Sequence, residues 1–457
     1  MASTSHDALA RLLAEDPALA ADVARWIESS RAVGPDGVFA AYRRPRLEPA
    51  GTAPLTLRRR CGAAGGRLYH ADNLAVLRDL VEAGVRARCV YIDPPYGTRQ
   101  RFARKATGHA AYCDAASGAE YLATLRPRLV LLREALADDG SLFVHLDASM
   151  VAEVKTLLDE LFGAANFRAW ITRRKCSSKN YTRRSFGDIA DYILFYSKTA
   201  GHVFNRQFEP RTPKREAIDF PKLDPATGRR FALVPLHAPG RRHGATGGAW
   251  RGLLPPAGKH WQWTPEKLDE FAAAGDIHWT RNGTPRRRIW ADESPGAAVA
   301  NIWLDHRDPF NQNFAVTGYP TEKNLDLLKR VIASASHPGD LVLDAYAGSG
   351  TTLAAAAGLG RRWIGIDAGA MAIALAQRRL AGARHGFELW GPEPAPGLAQ
   401  PPADAEFGFV ERAGEVREVL DAAQVPGRLA ALSPGERLVA FDRAGREHAF
   451  HESVRAA

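Results

Sequence analysis

The chain has 457 residues, of which 46% are hydrophobic and 25% charged, and its formal net charge is +10. This is the composition of a folded globular protein. No apolar run approaches the roughly 18 residues of a membrane helix, and the N-terminus lacks the apolar core of a signal peptide. The four cysteines form no CxxC pair, so we expect no disulfide framework, no metal site and a reducing cytoplasm. The positive charge favours a polyanionic partner, nucleic acid first.

The predicted elements begin with a helical extension over residues 1–55, where leucines recur at helical spacing. Strand and helix then alternate over 56–200. Strands are predicted over 67–71, 88–93 and 141–147, and helices over 72–84, 119–140 and 149–163, with a break at Pro127. This alternation is typical of parallel β-α units.

The pattern changes over 201–316, where Trp, Pro, Gly and Arg crowd together without a long period. It returns over 317–391, with helices over 321–335 and 368–383, strands ending at Asp344 and Asp367, and a glycine turn after the first. A Pro/Ala-rich linker follows, and 405–457 is predicted to be a small strand-and-turn appendage. We therefore predict one α/β domain in two halves, separated by an insertion.

The glycine turn, "LVLDAYAGSGTT" over 341–352, joins a strand to a helix. Its Gly348 and Gly350 fit neither the GxGxxG of dinucleotide folds nor the P-loop pattern. Asp367 ends the next strand, where an acid can hold ribose hydroxyls. A turn without a phosphate cradle beside such an acid favours a nucleoside without phosphates, with S-adenosylmethionine the common one. A tight turn with no ligand is the alternative.

The segment "VYIDPPYGT" over 90–98 ends a buried strand with an acid, two prolines and a ring. Asp93 and the backbone carbonyl of Pro94 could accept hydrogen bonds from the amine of a nucleobase. Pro94 and Pro95 stiffen the exit from the strand, and Tyr96 offers a face on which a flipped base could stack. A strand that stops at a Pro-Pro turn beside a packing Tyr is the alternative.

The DPPY motif and a following GSG turn together resemble the amino-group DNA methyltransferases of bacterial restriction-modification systems. The order, with DPPY first, resembles the permuted β class. This implies a Rossmann-like methyltransferase fold, with a circularly permuted and mostly parallel sheet, an inserted target-recognition region and small terminal extensions. The sequence departs from the family pattern in DAYAGSGTT for DPFxGSGTT and in PTEKN for PTQKP.

The resemblance implies a set of site residues. Asp93, Pro94, Pro95 and Tyr96 would form the catalytic motif. The implied cofactor-binding residues are Asp72, Thr321, Lys323, Asp344, Tyr346, Ala347, Gly348, Gly350, Thr351 and Asp367. S-adenosyl-L-methionine would be the cofactor, and no metal is needed.

Two basic clusters are predicted to contact DNA phosphates. The first lies in an acid-free run and the second in the insertion. Their residues are Arg173, Arg174, Lys175, Lys179, Arg183, Arg184, Arg286, Arg287 and Arg288. A solvated loop is the alternative for the first cluster.

The implied reaction is methyl transfer to the N6 amine of a flipped adenine in double-stranded DNA. Asp93 favours adenine, because cytosine-N4 enzymes of the family lean towards SPPY. Cytosine-N4 methylation, RNA or protein-glutamine methylation, and a catalytically inactive DNA-binding subunit remain open. A separately encoded restriction endonuclease and a homodimer are open as partners, and no membrane is expected.

Overall fold

The computed structural model describes residues 55–63, 65–95, 118–176, 184, 186–308, 322–392 and 405–451, together with the strand backbone of 101–103 and 110–113. The chain divides into two compact units, Met1–Pro54 and Leu55–Ala457, and the described residues lie in the second. The predicted N-terminal extension therefore lies outside the described residues, apart from Leu55. No described helix is long and apolar enough to cross a membrane.

The strands among the described residues are, in chain order, β1 (Thr56–Cys61), β2 (Gly66–His70), β3 (Ala87–Ile92), β4 (Arg101–Ala103), β5 (Ala110–Cys113), β6 (Leu136–Leu146), β7 (Phe167–Arg174), β8 (Ala190–Ser197), β9 (Phe208–Glu209), β10 (Lys222–Leu223), β11 (Arg230–Pro235), β12 (His237–Pro239), β13 (Lys259–Trp261), β14 (Ile277–Trp279), β15 (Pro285–Trp290), β16 (Ala297–Ala298), β17 (Ile302–Trp303), β18 (Leu341–Asp344), β19 (Arg362–Asp367), β20 (Phe387–Gly391), β21 (Ala405–Arg412), β22 (Glu415–Asp421), β23 (Glu436–Asp442) and β24 (Glu447–His451).

The α-helices of the same residues are α1 (Asn73–Glu82), α2 (Gly118–Ala135), α3 (Val151–Phe162), α4 (Pro213–Asp219), α5 (Pro265–Ala273), α6 (Leu325–Ala335), α7 (Thr351–Gly358), α8 (Ala370–Gly382) and α9 (Gln424–Ala430).

Six neighbouring parallel strands form the centre of the main sheet, in the order β6-β3-β18-β19-β2-β20. Strands β8 and β7 continue it antiparallel beyond β6. Strand β18 lies directly beside β3, with Leu343 opposite Val90. Asp344 ends β18 and Asp93 follows β3, so both acids lie at the carboxyl edge of the sheet. The predicted α/β class, the mostly parallel sheet and the adjacency of the two motif strands are confirmed.

Three features of these elements differ from the prediction. The helix predicted over 119–140 ends at Ala135, and residues 136–140 belong to β6, which pairs with β3 from Leu136 onward. Pro127 lies inside α2 instead of breaking it. The buried apolar face of α2, which includes Leu129, packs into a core shared with α1 and α3. This packing outweighs the ~3 kcal/mol that an interior proline typically costs a helix. Helix α6 begins at Leu325 instead of 321, because the Asn324 side chain accepts hydrogen bonds from the N–H groups of Asp326 and Leu327.

The insertion contains a small four-stranded sheet in the order β10-β11-β15-β14. The insertion also has a separate apolar cluster, made by Leu236, Trp250, Trp261, Leu268 and Ile277. The chain then returns to the main sheet at β17, which pairs parallel with β7. The strands here are short, and this explains why no long period is visible in the sequence of the region.

The C-terminal strands are not a detached appendage. Strand β22 pairs parallel with β1, so β21–β24 extend the main sheet. Phe407 and Phe441 join the main core, with ring centroids 4.6 Å apart. The buried Arg59 on β1 pairs with Glu411 on β21, and its Nη2 lies 3.1 Å from Glu447 Oε1. The strands that follow the linker are therefore part of the main sheet and not a separate body.

Candidate functional site

The glycine turn between β18 and α7 is shaped by two residues with positive φ, Gly348 (50°) and Gly350 (76°). The Gly348 N–H donates to Asp367 Oδ2 at 2.8 Å, and the Gly369 N–H donates to Asp367 Oδ1 at 2.8 Å. A Cβ at position 350 would lie 2.9 Å from the Cβ of Ala376 on α8. Glycine is therefore required here both for the backbone conformation and for the close approach of two helices.

Two carboxylates flank this turn, Asp344 buried and Asp367 half-buried. Asp344 is 2% exposed and accepts hydrogen bonds from the Tyr346 N–H, at 2.9 Å, and from the Thr352 hydroxyl. Burial raises the pKa of Asp344 from 3.8 to about 7, and the negative charges of Asp93 and Asp367 add to the effect. Burial also raises the pKa of Asp367, although its two backbone donors oppose the shift. The pair makes the turn a favourable place for a cationic ligand.

Asp93 lies at the end of β3 and forms an ion pair with Lys323 through its Oδ2. The side chains are 17% and 7% exposed, so most of the pair is shielded from water. Pro94 is buried and Pro95 half-buried. Lys323 was predicted to bind the cofactor, but the structure brings it to the acid of the DPPY motif.

The segment 322–324 links the two halves of the domain. Glu322 pairs with Arg379 of α8, whose Nη1 donates to the Thr351 hydroxyl at 2.7 Å. Thr351 is the first residue of α7, directly after the glycine turn. Glu322 thus contacts the cofactor half, Lys323 contacts Asp93, and Asn324 caps α6. Sequence reasoning named Lys323 and Thr351 but missed Glu322 and Arg379, because no local pattern predicts that they meet.

Asp72 caps α1, since its Oδ1 accepts from the Leu74 N–H at 2.9 Å. Its other oxygen lies 2.9 Å from Arg128 Nη2. The next residue, Asn73, donates to the Ala345 carbonyl at 2.7 Å and so reaches the segment between β18 and the turn. Asp72 therefore lies near the predicted cofactor region, but Asn73 is the residue that makes the contact. The sequence carried no signal for Asn73 or Arg128.

Arg173 is 1% exposed and does not face solvent. Its Nε lies 2.9 Å from Asp191 Oδ1, and its Nη2 lies 2.5 Å from Asp308 Oδ1. A buried guanidinium held by two carboxylates cannot contact a DNA phosphate, so the structure corrects this prediction. Arg173 shares a strand face with the buried Ile171, and this alternation was the signal in the sequence that could have separated it from the basic run.

The other residues of the first basic cluster differ in exposure. Arg184 is exposed, whereas Arg174 and Lys175 are half-buried, and Lys175 Nζ lies 2.9 Å from Asp188 Oδ2. Four predicted site residues lie outside the described residues, namely Tyr96, Lys179, Arg183 and Thr321.

The second basic cluster, Arg286, Arg287 and Arg288, lies on β15 and is half-buried. The Arg287 guanidinium lies 3.8 Å from the ring centroid of Phe271, and that of Arg288 lies 5.1 Å from the ring of Phe231. Arg287 and Arg288 thus pack on aromatic rings of the insertion. Exposed arginines that sequence reasoning did not single out are Arg241, Arg242 and Arg281.

Comparison with known proteins shows what this chain is similar to. The family model described as DNA methylase, of the N6/N4 methyltransferase type, matches residues 87–378, well over half of the chain. The Type II methyltransferase M.EcaI of Enterobacter cloacae is 47% identical over 311 residues, 68% of this chain and 68% of that protein. The StyLTI Mod subunit of Salmonella typhimurium, a Type III restriction-modification enzyme, is 26% identical over 62% of this chain and about half (48%) of its own length.

Among solved structures, the complex of M1.HpyAVI with SAM is similar at 18% identity, with a TM-score of 0.38, over 69% of this chain and 98% of that one. A likeness at this level carries no argument about activity. The family match spans both motif strands. The chain belongs to the N6/N4 family of DNA methyltransferases, the family of restriction-modification methylases that its DPPY and GSG motifs resemble.

Proposed function

We propose that this chain transfers a methyl group from S-adenosylmethionine to the N6 amine of adenine in double-stranded DNA. The observation that supports the proposal is the pairing of β3 with β18. It brings Asp93, an acceptor suited to a base amine, to the same sheet edge as the glycine turn and its two acids. Donor and acceptor of the methyl group can then meet across that edge.

The residues around the turn fit S-adenosylmethionine, which agrees with the cofactor that the family uses. The cofactor carries positive charge and no phosphate, and Asp344 and Asp367 are carboxylates beside the turn whose pKa values are raised. A bound cation would favour their ionised forms. We propose that Asp367 holds the ribose hydroxyls, and that Tyr346, Ala347 and Gly348 line the adenosine. When bound, S-adenosylmethionine supplies an electrophilic methyl group.

The catalytic motif would act on the base amine by accepting hydrogen bonds. The lone pair of the amine is delocalised into the ring, and acceptors around the NH2 favour the tetrahedral geometry that attack requires. We assign this role to the Asp93 carboxylate and the Pro94 carbonyl, with Pro95 stiffening the segment. Tyr96 is proposed to stack on the base, which must leave the duplex to be reached. The amine loses its extra proton after transfer.

The insertion over 201–316 is proposed as the target-recognition region, between catalytic and cofactor halves at 56–200 and 317–391. Exposed arginines are well placed to contact phosphates. They include Arg184, Arg241, Arg242 and Arg281. We propose that these side chains supply the salt-dependent part of DNA binding, with Lys179 and Arg183 as further candidates from the sequence.

The choice of adenine rests on Asp93, since cytosine-N4 enzymes of the family lean towards a serine at this position. The experiment is incubation of the purified chain with duplex DNA and radiolabelled cofactor, followed by nucleoside analysis. N6-methyladenine is the expected product. N4-methylcytosine alone would replace the proposal with the second candidate, and activity on RNA but not duplex DNA would replace both. Asp93→Ala is the control, expected to lose transfer and retain cofactor binding.

Two partner hypotheses accompany this function. StyLTI is a restriction-modification enzyme with a Mod subunit, so we propose a separately encoded restriction subunit as a partner in the cytoplasm. Co-purification from the host tests it. A homodimer is the second hypothesis, and light scattering of the purified chain tests that state.

A further inference from the structure

A buried chain of polar side chains crosses four consecutive strands beside the catalytic motif. Tyr91 Oη on β3 lies 2.6 Å from His145 Nδ1 on β6, and His145 Nε2 lies 3.0 Å from Asp191 Oδ2 on β8. The other oxygen of Asp191 is 2.9 Å from Arg173 Nε on β7. All four residues are at most 3% exposed. Burial of so many polar groups is costly unless they are paired, and the methyl-transfer roles above use none of them.

The buried polar side chains interact electrostatically with Asp93 and with its partner Lys323. Tyr91 precedes Asp93 by two positions, and the Asp93 charge is among the causes, after burial, that raise the pKa of Tyr91. Burial alone would raise the pKa of Asp191, but the contact with His145 and the positive charges of Arg173 and Lys323 outweigh it and lower the value to about 2. The Lys323 ammonium therefore pairs with Asp93 and also helps to lower the pKa of Asp191.

The backbone that carries Lys323 is held on both sides. Glu322 is 8% exposed and pairs with Arg379, and the Asn324 side chain caps α6. Lys323 itself is 7% exposed. A lysine with a fixed backbone and a shielded ammonium has little freedom to leave its carboxylate, unlike a surface lysine.

We propose that Lys323 is a positioning residue for Asp93, not a cofactor contact. Its ammonium fixes the orientation of the carboxylate oxygens through the shielded ion pair, and Asp191 with its buried partners balances the charge. A carboxylate held in one orientation is in place to accept hydrogen bonds from the base amine. The inference rests on the proposed function, because it assigns Lys323 a part in the same methyl transfer.

The test compares Lys323→Met and Lys323→Arg with the wild type, as purified full-length chains. For Lys323→Met, kcat should fall about 100-fold, the loss typical of removing one preorganised charged partner. The loss should fall on kcat and leave the KM for the cofactor unchanged, because the ammonium orients Asp93 and is not assigned a contact with the cofactor. Lys323→Arg should recover most of the activity. S-adenosylmethionine binding, measured by calorimetry, should be unchanged in both variants.

Lys329→Met is the matched control, because it makes the same substitution at a more exposed lysine that pairs with Asp326 instead of Asp93. Its kcat should coincide with that of the wild type. Weakened cofactor binding with kcat retained in Lys323→Met would overturn the inference. A loss of kcat that arginine does not recover would also overturn it. A wild type that transfers no methyl group to DNA contradicts the proposed function instead, so the two failures are distinguishable.

Discussion

Replacing Asp344 with asparagine should change how the stability of the protein depends on pH. Because burial raises the pKa of Asp344 in the folded chain, the folded state keeps a proton that the unfolded state releases. The folded state binds more protons between the two pKa values, so this group lowers the free energy of unfolding as pH rises through that window. An asparagine cannot ionise and is free of this penalty.

The size of the effect follows from the shift. A rise from 3.8 to about 7 corresponds to about 4 kcal/mol over the whole window, at about 1.4 kcal/mol per pKa unit. Between pH 5 and pH 8 the contribution is about 2.5 kcal/mol. The unfolding free energy of Asp344→Asn, minus that of the wild type, should therefore become more positive by this amount between the two pH values.

Urea unfolding of both proteins at pH 5 and pH 8, without cofactor, measures the difference. All other titrating groups are common to the two proteins and largely cancel. Asp138→Asn is the control, since it makes the same substitution at a side chain that is 90% exposed. If the difference between Asp344→Asn and the wild type is the same at both pH values, the Asp344 carboxylate is ionised in the fold and the reasoning fails.

Three further predictions concern binding and packing. Affinity for S-adenosylmethionine should fall as pH drops below about 7, because a neutral Asp344 no longer attracts the cation; calorimetry that gives a flat profile would contradict this. Arg173→Ala should destabilise the fold by about 3–5 kcal/mol and leave the salt dependence of DNA binding intact. Arg281→Ala should leave Tm unchanged and reduce the salt slope by about 1, and the reverse pattern would restore Arg173 to the DNA surface. Gly350→Ala should lower Tm more than Gly339→Ala, because both have positive φ but space is open at 339; equal losses would argue against the helix contact.

The sequence was most informative where a signal is local. The apolar runs before Asp93 and Asp344 predicted two buried strands, and the turn residues after them predicted where each strand ends. Parallel strands joined by helices place their carboxyl ends at one edge, so the meeting of the two motifs was predictable too. The start of α6 was less predictable. The PTEKN segment is equally compatible with the first turn of a helix, and only the structure shows that the Asn324 side chain caps α6.

Apart from the pairing of the two motif strands, contacts between distant parts of the chain were not accessible from the sequence. In the basic run, the alternation with Ile171 indicates a buried strand face for Arg173, but the contacts of Arg173 with Asp191 and Asp308 are visible only in the structure. The Pro/Ala-rich linker looks like a domain boundary, although β22 closes against β1 beyond it. In each case the deciding contact joins residues that are distant in sequence, so no local propensity carries it.

The sequence by itself determined the family, the α/β class and the two motifs that carry the resemblance, because each depends on a short run of residues. The tertiary structure alone decided which charge faces which. Lys323 and Asp93 are 230 positions apart and still form one shielded ion pair. Electrostatic roles depend on distance and burial in space, and a residue list contains neither until the strands have been brought side by side.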